Sequence, residues 1–290
     1  MTRSRYDWVI WTFFWSGIAL TALFVGGPVL NAIWLSLHQA SSFVAEPRFV
    51  GLGNYVRVVQ EPDFWRAFGN GLVYALSAIA LQVVIGIAFA MVLNQPFFGQ
   101  RLVRGLATLP YLLPTVVVAL TFQWLADGSV GLFTVLARDM GFGTIPWFEQ
   151  SGTARMSVIF ASVWLWTPFV TICVLAGLQS IPPALYEAAK VDGAGPISIF
   201  FHITLPQLKP VLTVVVLLRA IWMFNKFDII WLLTKGGPLG ATEHLPVLAY
   251  KRAFSLFDVG GGAAIATVSF LILMAIVSLY IWLFPLEESR

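Results

Sequence analysis

Six long apolar runs, separated by more polar segments of varying length, dominate the pattern of hydrophobic and polar positions along this chain of 290 residues. An α-helix needs about 20 apolar residues to cross the roughly 30 Å hydrocarbon core of a bilayer. The runs that meet this length with few charges are residues 8–30, 70–93, 106–125, 156–178, 211–233 and 262–284. No alternation typical of a membrane β-barrel occurs. The pattern predicts an all-α integral membrane protein with six transmembrane helices.

The composition agrees with a membrane protein and excludes several soluble classes. Charged residues make up 11% of the chain and apolar residues 59%, whereas soluble domains average about 25% charged residues. The net charge is +3 and the basic residues are scattered, so we expect no nucleic-acid partner. A single cysteine, Cys173, allows no internal disulfide. Without repeats or low-complexity segments, the pattern predicts one domain over residues 1–290.

Basic residues near the first two runs indicate which way the helices face. Arg3 and Arg5 precede the first run, which lacks a small-residue cleavage site and is long enough to remain as a helix. The short segment 95–104 holds Arg101 and Arg104 and no acid. The other loops carry at least as many bases, so the positive-inside rule does not decide the chain as a whole. These local signals place both termini in the cytoplasm, on the same side as the segment between the fourth and fifth runs.

That segment, residues 187–206, is polar and turn-bearing, unlike the runs on either side. It begins with Glu187, Ala188 and Ala189 on a predicted short helix, and the small alanine face allows another surface to approach closely. Gly193 supplies a backbone turn that a side chain would hinder. The first half of the segment therefore predicts a short helix followed by a sharp turn.

The second half of the segment predicts another short helix over residues 196–203. This helix presents Phe200 and Phe201 as an apolar contact surface, and Leu205 with Pro206 ends it and redirects the chain into the fifth run. Alternatively, the two phenylalanines lie on the membrane surface, as interfacial aromatics often do. The loop as a whole spans about residues 180–210.

The spacing of Glu-Ala-Ala, Gly193 and Leu205-Pro206 resembles the signature loop with which permease subunits of ATP-binding-cassette (ABC) importers hold their ATPases. Further stretches at 49–55, 109–111, 224–228 and the Gly-Gly-Pro at 236–238 are similar to the maltose and glycerol-phosphate importer group. The resemblance covers nearly the whole chain and, within this group, points to the permease of the maltose large-subunit kind. With six spans and without the extra N-terminal helices of the maltose protein, the chain is closer to the glycerol-phosphate type. The resemblance implies ATPase-coupling roles for Glu187, Ala188, Ala189, Asp192, Gly193, Phe200, Phe201, Leu205 and Pro206.

The same resemblance implies the assembly and its location. A multi-pass subunit in a bacterial inner membrane, surrounded by lipid, would pair with a second homologous permease, two ATPase subunits and an extracytoplasmic solute-binding protein. ATP and magnesium would bind to the ATPases, and this chain would bind no cofactor. The sequence itself contains no phosphate-binding loop, metal-ligand cluster or catalytic constellation, and His38, His202 and His244 are interpreted as surface residues. We therefore expect a transport subunit and not an enzyme.

Sugar contacts in the maltose importer come from two helices, and the resemblance carries them onto two sets of residues in this chain. Each set has helical spacing and so forms one face of its helix. The sets are Ser162, Leu165, Trp166 and Phe169 in the fourth run, and Arg219, Met223 and Lys226 in the fifth. Trp166 and Phe169 could stack on a sugar ring, and Ser162 could bind a hydroxyl group.

Two cations in the fifth run, Arg219 and Lys226, set this chain apart from a permease for neutral sugars. A charge near the centre of a membrane helix costs about 2.5–3.5 kcal/mol on insertion scales, so it usually has a partner or a function. On a continuous helix Asp228 would lie well round from both cations. The hypothesis is an anionic sugar, carrying a sulfonate, phosphate or carboxylate, that binds to Arg219 with help from Lys226.

Several alternatives stay open at the level of the sequence. Arg219 could pair with an acid on the partner permease while Lys226 extends to the outer surface, which would leave a neutral mono- or oligosaccharide as cargo. A stand-alone secondary transporter would need coupling carboxylates or an inverted repeat. A membrane-embedded enzyme would need a catalytic constellation.

Overall fold

A computed structural model of the chain describes residues 7–41 and 46–285. The predicted all-α class is confirmed, since helices account for almost all the regular structure and one pair of two-residue strands for the rest. Arg3 and Arg5, which were used to predict orientation, lie outside the described residues. In chain order the elements are α1 (Asp7–Thr21), α2 (Gly27–Ser36), β1 (His38–Gln39), β2 (Arg48–Phe49), α3 (Gly53–Gln60), α4 (Pro62–Asn94), α5 (Gln100–Leu112), α6 (Thr115–Leu125), α7 (Leu132–Asp139), α8 (Ser151–Ser180), α9 (Pro183–Val191), α10 (Pro196–Ile199), α11 (Leu205–Phe224), α12 (Asp228–Thr234), α13 (Leu245–Tyr250) and α14 (Val259–Leu283). Single π-helical turns at Ala22–Gly26, Phe200–Thr204 and Lys251–Ser255 interrupt or extend these helices.

Five helical stretches among the described residues are long and apolar enough to cross a membrane. They are Trp8–Ser36, Pro62–Asn94, Ser151–Ser180, Pro196–Phe224 and Val259–Leu283. A sixth span arises only if α5 and α6, which meet at an angle of 93°, are counted as one. The prediction of one continuous third helix over 106–125 is therefore wrong, because the segment forms parts of two helices that meet at a sharp bend.

The bend between α5 and α6 follows from two prolines. Pro110 inside α5 has no N–H to donate, and Leu113 adopts an extended conformation with ψ of 136°. A residue before a proline avoids the helical region because the ring of the proline, here Pro114, crowds its backbone. The two prolines therefore divide the apolar run 106–125 into two helices.

The fifth span also differs from its prediction. The helix begins at Pro196, continues through Leu205 and Pro206, and ends at Phe224. Pro206 does not end a helix, because a π-helical turn at Phe200–Thr204 rearranges the hydrogen bonds immediately before it. The predicted continuation to residue 233 is a separate helix, α12, which follows a non-helical turn at residues 225–227.

The described chain divides into two compact units, the first formed by residues up to 65 together with 248–271. In this unit the buried amide of Asn54 donates to the carbonyl oxygens of Ser36 and His38, at 2.9 Å each. His38 stacks on Trp34 with ring centroids 4.0 Å apart and is buried. The interpretation of His38 as a surface histidine is therefore wrong.

The second unit comprises residues 66–247 and 272 onward, and it contains every predicted site residue. Helix α8 lies at its centre and packs against α5, α6, α11 and α12. Its approach to α11 is close at Gly177, where an added Cβ atom would lie 2.9 Å from Leu208 and 3.1 Å from Val211. The apolar core continues on both sides of this contact, and its most buried members include Ala78, Val158, Leu165, Ile229, Ile230 and Val247 near one end and Ala90, Val170, Val174 and Leu208 near the other.

His244 is buried in the second unit, beside Gly71 and the ring of Tyr74. Neither ring nitrogen has a hydrogen-bond partner of good geometry among the described residues. Burial lowers the pKa of His244 from 6.5 to about 4, and a contact with the backbone of Lys226 acts in the opposite direction. The interpretation of His244 as a surface residue is therefore wrong, whereas His202 is exposed as expected.

Candidate functional site: a coupling loop and a buried cation

The predicted coupling loop begins with helix α9, which carries Glu187, Ala188 and Ala189. The helix ends at Gly193, whose φ is +78°. The N–H of Gly193 donates to the carbonyl oxygen of Lys190 at 3.1 Å, and that of Ala194 donates to Ala189 at 2.9 Å. This pair of bonds with a left-handed glycine is the Schellman ending of a helix. The turn predicted at Gly193 is thus present in the structure.

The loop exposes a mixed surface around this turn. Glu187, Ala188 and Asp192 are exposed, whereas Ala189 and Phe200 are half-buried. Phe201 is 57% exposed, but Val191 and Ile197 are more exposed still, at 88% and 77%. Sequence reasoning missed these two aliphatic residues because it looked for aromatic ones. The available signal was an apolar residue on either side of a turn in a polar, exposed segment, which indicates a contact surface.

The loop is tied to the helix that follows it. The Tyr186 hydroxyl group lies 3.3 Å from Oγ1 of the buried Thr204. Phe200 and Phe201 pack edge to face with ring centroids 4.9 Å apart. Leu205 is half-buried and Pro206 exposed on the continuous helix. The turn and helix α9 are therefore connected to a long rigid helix, which can transmit a displacement.

Three of the predicted substrate-pathway residues, Ser162, Arg219 and Met223, meet in a buried polar network between α4, α8 and α11. The hydroxyl groups of Tyr74 and Ser162 are 2.8 Å apart. The amide of Gln82 donates to the Ser162 carbonyl oxygen at 3.3 Å and reaches the sulfur of Met223 at 3.8 Å. Arg219 donates from Nε to Oε1 of Gln82 at 2.7 Å. Because the Ser162 hydroxyl group is hydrogen-bonded to Tyr74, it does not point into an empty space.

Arg219 is only 1% exposed, yet no carboxylate pairs with it in the part of the chain that the structure describes. Its other polar contact is a weak one from Nη2 to the sulfur of Met223 at 3.4 Å. The guanidinium group also lies 5.8 Å from the ring centroid of Trp166 and 5.7 Å from that of Trp222. These cation–π contacts stabilise the charge partly without neutralising it.

Lys226 does have a partner, contrary to the sequence-based expectation. Its ammonium group lies 3.3 Å from Asp228 and 4.0 Å from the ring centroid of Trp166. The expectation was wrong because it assumed a continuous helix, whereas the chain leaves the helix after Phe224. The ion pair forms across the resulting turn. One face of Trp166 is thereby occupied by a cation, and Trp166 does not offer that face to a sugar.

Aromatic side chains surround the remaining members of the predicted set. Phe169 is half-buried and packs against Trp222, with ring centroids 5.1 Å apart, and against Tyr111 at 6.1 Å. Trp222 and Tyr111 are exposed on the chain, so Arg219 lies just beneath an accessible aromatic surface. Leu165, in contrast, belongs to the apolar core. Sequence reasoning missed Tyr74, Gln82 and Trp222, because nothing in their local pattern shows that they converge on Arg219.

The helical spans, the exposed loop between two of them and a buried cation define an all-α membrane transport subunit. Residues 82–285 match the family described as binding-protein-dependent transport system inner membrane component, and the chain belongs to this family. It is a permease subunit of an ABC transporter and not an enzyme.

Two similar proteins and one solved structure extend this result. The trehalose/maltose transport system permease protein MalF of Thermococcus litoralis is 37% identical over 264 residues, which cover 91% of this chain and 89% of that protein. The sulfoquinovosyl glycerol transport system permease protein SmoG of Agrobacterium fabrum is 33% identical, with 90% and 85% covered. A bacterial ABC transporter for import of the acidic polysaccharide alginate shares the fold, with a TM-score of 0.84, 22% identity and 96% of each chain covered. The predicted resemblance to carbohydrate-importer permeases is confirmed.

Proposed function

We propose that this permease subunit moves a sugar or sugar derivative into the cytoplasm, and that the sugar carries an anionic group. Two relatives that cover most of the chain are named for sugar transport, one for trehalose and maltose and one for the sulfonated sugar sulfoquinovosyl glycerol. Family membership disfavours a stand-alone secondary transporter. The relatives leave the charge of the cargo open, because one is named for neutral sugars and one for an anionic sugar.

The observation that carries the anionic proposal is the unpaired burial of Arg219. A buried charge that lacks an opposite charge is costly in a membrane, so it is retained where it has a function. Lys226 is already paired with Asp228, whereas the guanidinium group of Arg219 has, among the described residues, only an amide and a thioether as acceptors. Arg219 is therefore the cation of this pair whose charge is available to a substrate.

The rival reading is that an acid of the partner permease pairs with Arg219, which leaves a neutral sugar as cargo. Both readings place a negative group near Arg219, and they differ in which molecule brings it. A negative group on the protein would remain whichever sugar is present, so uptake would not depend on the charge of the sugar. Measurements with matched anionic and neutral sugars separate the two.

The working assembly that we propose consists of this chain, a second homologous permease, two ATPase subunits and an extracytoplasmic binding protein. The chain acts as a single transmembrane domain over residues 1–290 with both termini in the cytoplasm. ATP and magnesium bind to the ATPases and not to this chain. The surface formed by Glu187, Ala188, Val191, Ile197 and Phe201 docks on an ATPase, and ATP-driven closure rocks the helices between outward and inward access.

Transport by the complete complex in proteoliposomes tests the cargo. The anionic probes are sulfoquinovosyl glycerol, glucose 6-phosphate and glucuronate, and the neutral probes are trehalose and maltose. We expect uptake of at least one anionic probe. Arg219→Met should reduce that uptake by about 100-fold, because a charge-assisted contact to the substrate is lost. Arg219→Lys should retain part of it, since the charge remains.

Arg138→Met is the matched control, since it removes an arginine that is exposed on α7. It should transport like the wild type. Co-purification of the ATPase with each variant reports assembly. Unchanged anionic uptake by an assembled Arg219→Met complex would overturn the proposal, as would a wild-type complex that takes up only trehalose or maltose.

Cross-linking tests the docking surface and the orientation. Cys173 is the only cysteine in the sequence, so Cys173→Ala provides a cysteine-free background. A cysteine introduced at Ile197 should form a cross-link with a partner ATPase, and one introduced at Val130, which is exposed between α6 and α7, should not. Cross-linking from Val130 with none from Ile197 would reverse the proposed orientation.

A further inference from the structure

We propose that Gln82 is a positioning residue, which holds Arg219 so that one edge of the guanidinium group faces an anionic substrate. This inference rests on the proposed function and assigns part of it to a helix, α4, from which no substrate contact was predicted. The side chain of Gln82 is fully buried and contacts α8 and α11 together. Gln82 thus connects the two helices that carry the predicted pathway residues.

The orientation of the Gln82 amide follows from its partners. Arginine has N–H donors and no acceptor, so the atom of Gln82 that lies 2.7 Å from Nε of Arg219 must be the amide oxygen. The amide nitrogen then faces the carbonyl oxygen of Ser162, which can only accept. Both polar atoms of the amide thus have hydrogen-bond partners. These contacts fix the rotation of the guanidinium plane about the Cδ–Nε bond.

This contact leaves a particular edge of Arg219 for a ligand. An anion can bind an arginine side-on, across Nε and Nη2, or end-on, across Nη1 and Nη2. Gln82 occupies Nε, so the side-on edge is blocked. The end-on edge has only the weak thioether acceptor of Met223 among the described residues. A sulfonate, phosphate or carboxylate would therefore bind end-on.

The neutrality of Gln82 is the second part of the inference. A glutamate at this position would satisfy Nε equally well, but it would cancel the charge that attracts the substrate. An amide orients the guanidinium group and leaves its charge in place. Arg219 and Gln82 can thus select an anionic substrate only because Gln82 itself is uncharged.

Two variants of the complete transporter test this inference in proteoliposomes. The probe is whichever of sulfoquinovosyl glycerol, glucose 6-phosphate and glucuronate the wild type takes up best, supplied at saturating binding protein. Gln82→Met keeps the side-chain length but loses both amide contacts, and it should lower the molecules taken up per ATP hydrolysed by about tenfold. Gln82→Glu should lower this ratio as far as Arg219→Met does, because the charge is neutralised. Trehalose or maltose transport, where the wild type has it, should keep its ratio in both variants.

Gln123→Met is the matched control. Gln123 is a second membrane glutamine, whose amide donates to backbone carbonyl oxygens of α12 and contacts no cation in the described part of the chain. The control should keep the wild-type ratio. A purely structural role of Gln82 would lower uptake and ATP hydrolysis together, or lower the ratio for neutral and anionic sugars alike, and either result would overturn the inference.

The two proposals fail in different ways. If Arg219→Met abolishes anionic uptake while Gln82→Met and Gln82→Glu behave like the wild type, Arg219 binds the substrate without Gln82 and only this inference is wrong. If Arg219→Met has no effect, the proposed function fails first. Where Gln82→Met does not assemble with the ATPase, Gln82→Glu decides, since it retains an acceptor for Nε, changes the charge and loses only the hydrogen bond to the Ser162 carbonyl oxygen.

Discussion

Replacing Gly193 by alanine tests how the coupling loop is held in shape. The residue has a φ of +78° and lies in the Schellman turn that ends α9. An added Cβ atom would meet nothing within 4 Å. The substitution therefore introduces no steric clash with another part of the described chain. Its whole effect is on the backbone, which makes its size predictable.

The left-handed conformation costs an L-residue about 1–2 kcal/mol, and alanine recovers part of this by restricting the unfolded loop. A net penalty of about 1 kcal/mol corresponds to roughly a fivefold shift of the loop away from its native turn. If an ATPase docks only on the native turn, its apparent Kd is divided by the populated fraction of that turn, so it should rise by up to about fivefold in Gly193→Ala. Gly193→Asn should be affected less, because asparagine tolerates this conformation, and Gly193→Val more.

The assay is a titration of the purified permease pair with its ATPase, followed by uptake per ATP hydrolysed in proteoliposomes. Gly195→Ala is the close control, because Gly195 has a φ of −74° and equally open surroundings. Gly143→Ala introduces the same kind of strain, at a φ of +72°, in the segment between α7 and α8. Both controls should bind the ATPase normally. Equal weakening by Gly195→Ala, or no weakening in the series at Gly193, would refute the reasoning.

Three further changes probe the packing of the chain, each by thermal or denaturant unfolding in detergent. The pKa of His244 is 6.5 in the unfolded chain and about 4 in the folded chain, where the residue is buried. The folded state therefore has its full free energy of unfolding above pH 6.5 and loses part of it as the pH falls towards 4. Between pH 7 and pH 5 the loss should be about 2 kcal/mol, and His244→Gln should remove this dependence; an unchanged pH profile would contradict it. Gly177→Ala should destabilise by about 1–3 kcal/mol, because its Cβ atom would lie 2.9 Å from Leu208, and adding Leu208→Ala should relieve the clash; additive losses would speak against a direct contact. Asn54→Ala should cost about 1–3 kcal/mol, since two buried carbonyl oxygens lose their donor; a change within error would mean that water replaces the amide.

The sequence predicted four of the spans, including α8, which is one helix although Pro168 lies near its middle. Length and charge alone identify α4 and α14, because a membrane helix satisfies its backbone within itself. The same reasoning was misleading at 106–125 and 211–233, which are long and mostly apolar but do not form single helices. Hydropathy reports which residues tolerate lipid, and it does not report where a backbone bends.

The local sequence pattern revealed more about the coupling loop than about the surroundings of Arg219. The loop at 187–206 depends on contacts between residues that are close in the sequence, so its turn at Gly193 could be read directly. The surroundings of Arg219 depend on Gln82, which is distant along the chain. No local pattern distinguishes this glutamine from any other polar residue in a membrane helix.

Composition and spacing by themselves determined that this chain is an all-α membrane protein and where its turn at Gly193 lies, since both follow from the local physics of helices and turns. The permease class followed from the resemblance of that loop to a known family. Only the tertiary structure decided which cation is available. On an ideal helix Arg219 and Lys226 are alike, but the turn after Phe224 brings Asp228 to Lys226 and leaves Arg219 with an uncharged amide. The physical reason is that the net charge of a site depends on which side chains converge in space, and convergence is set by packing.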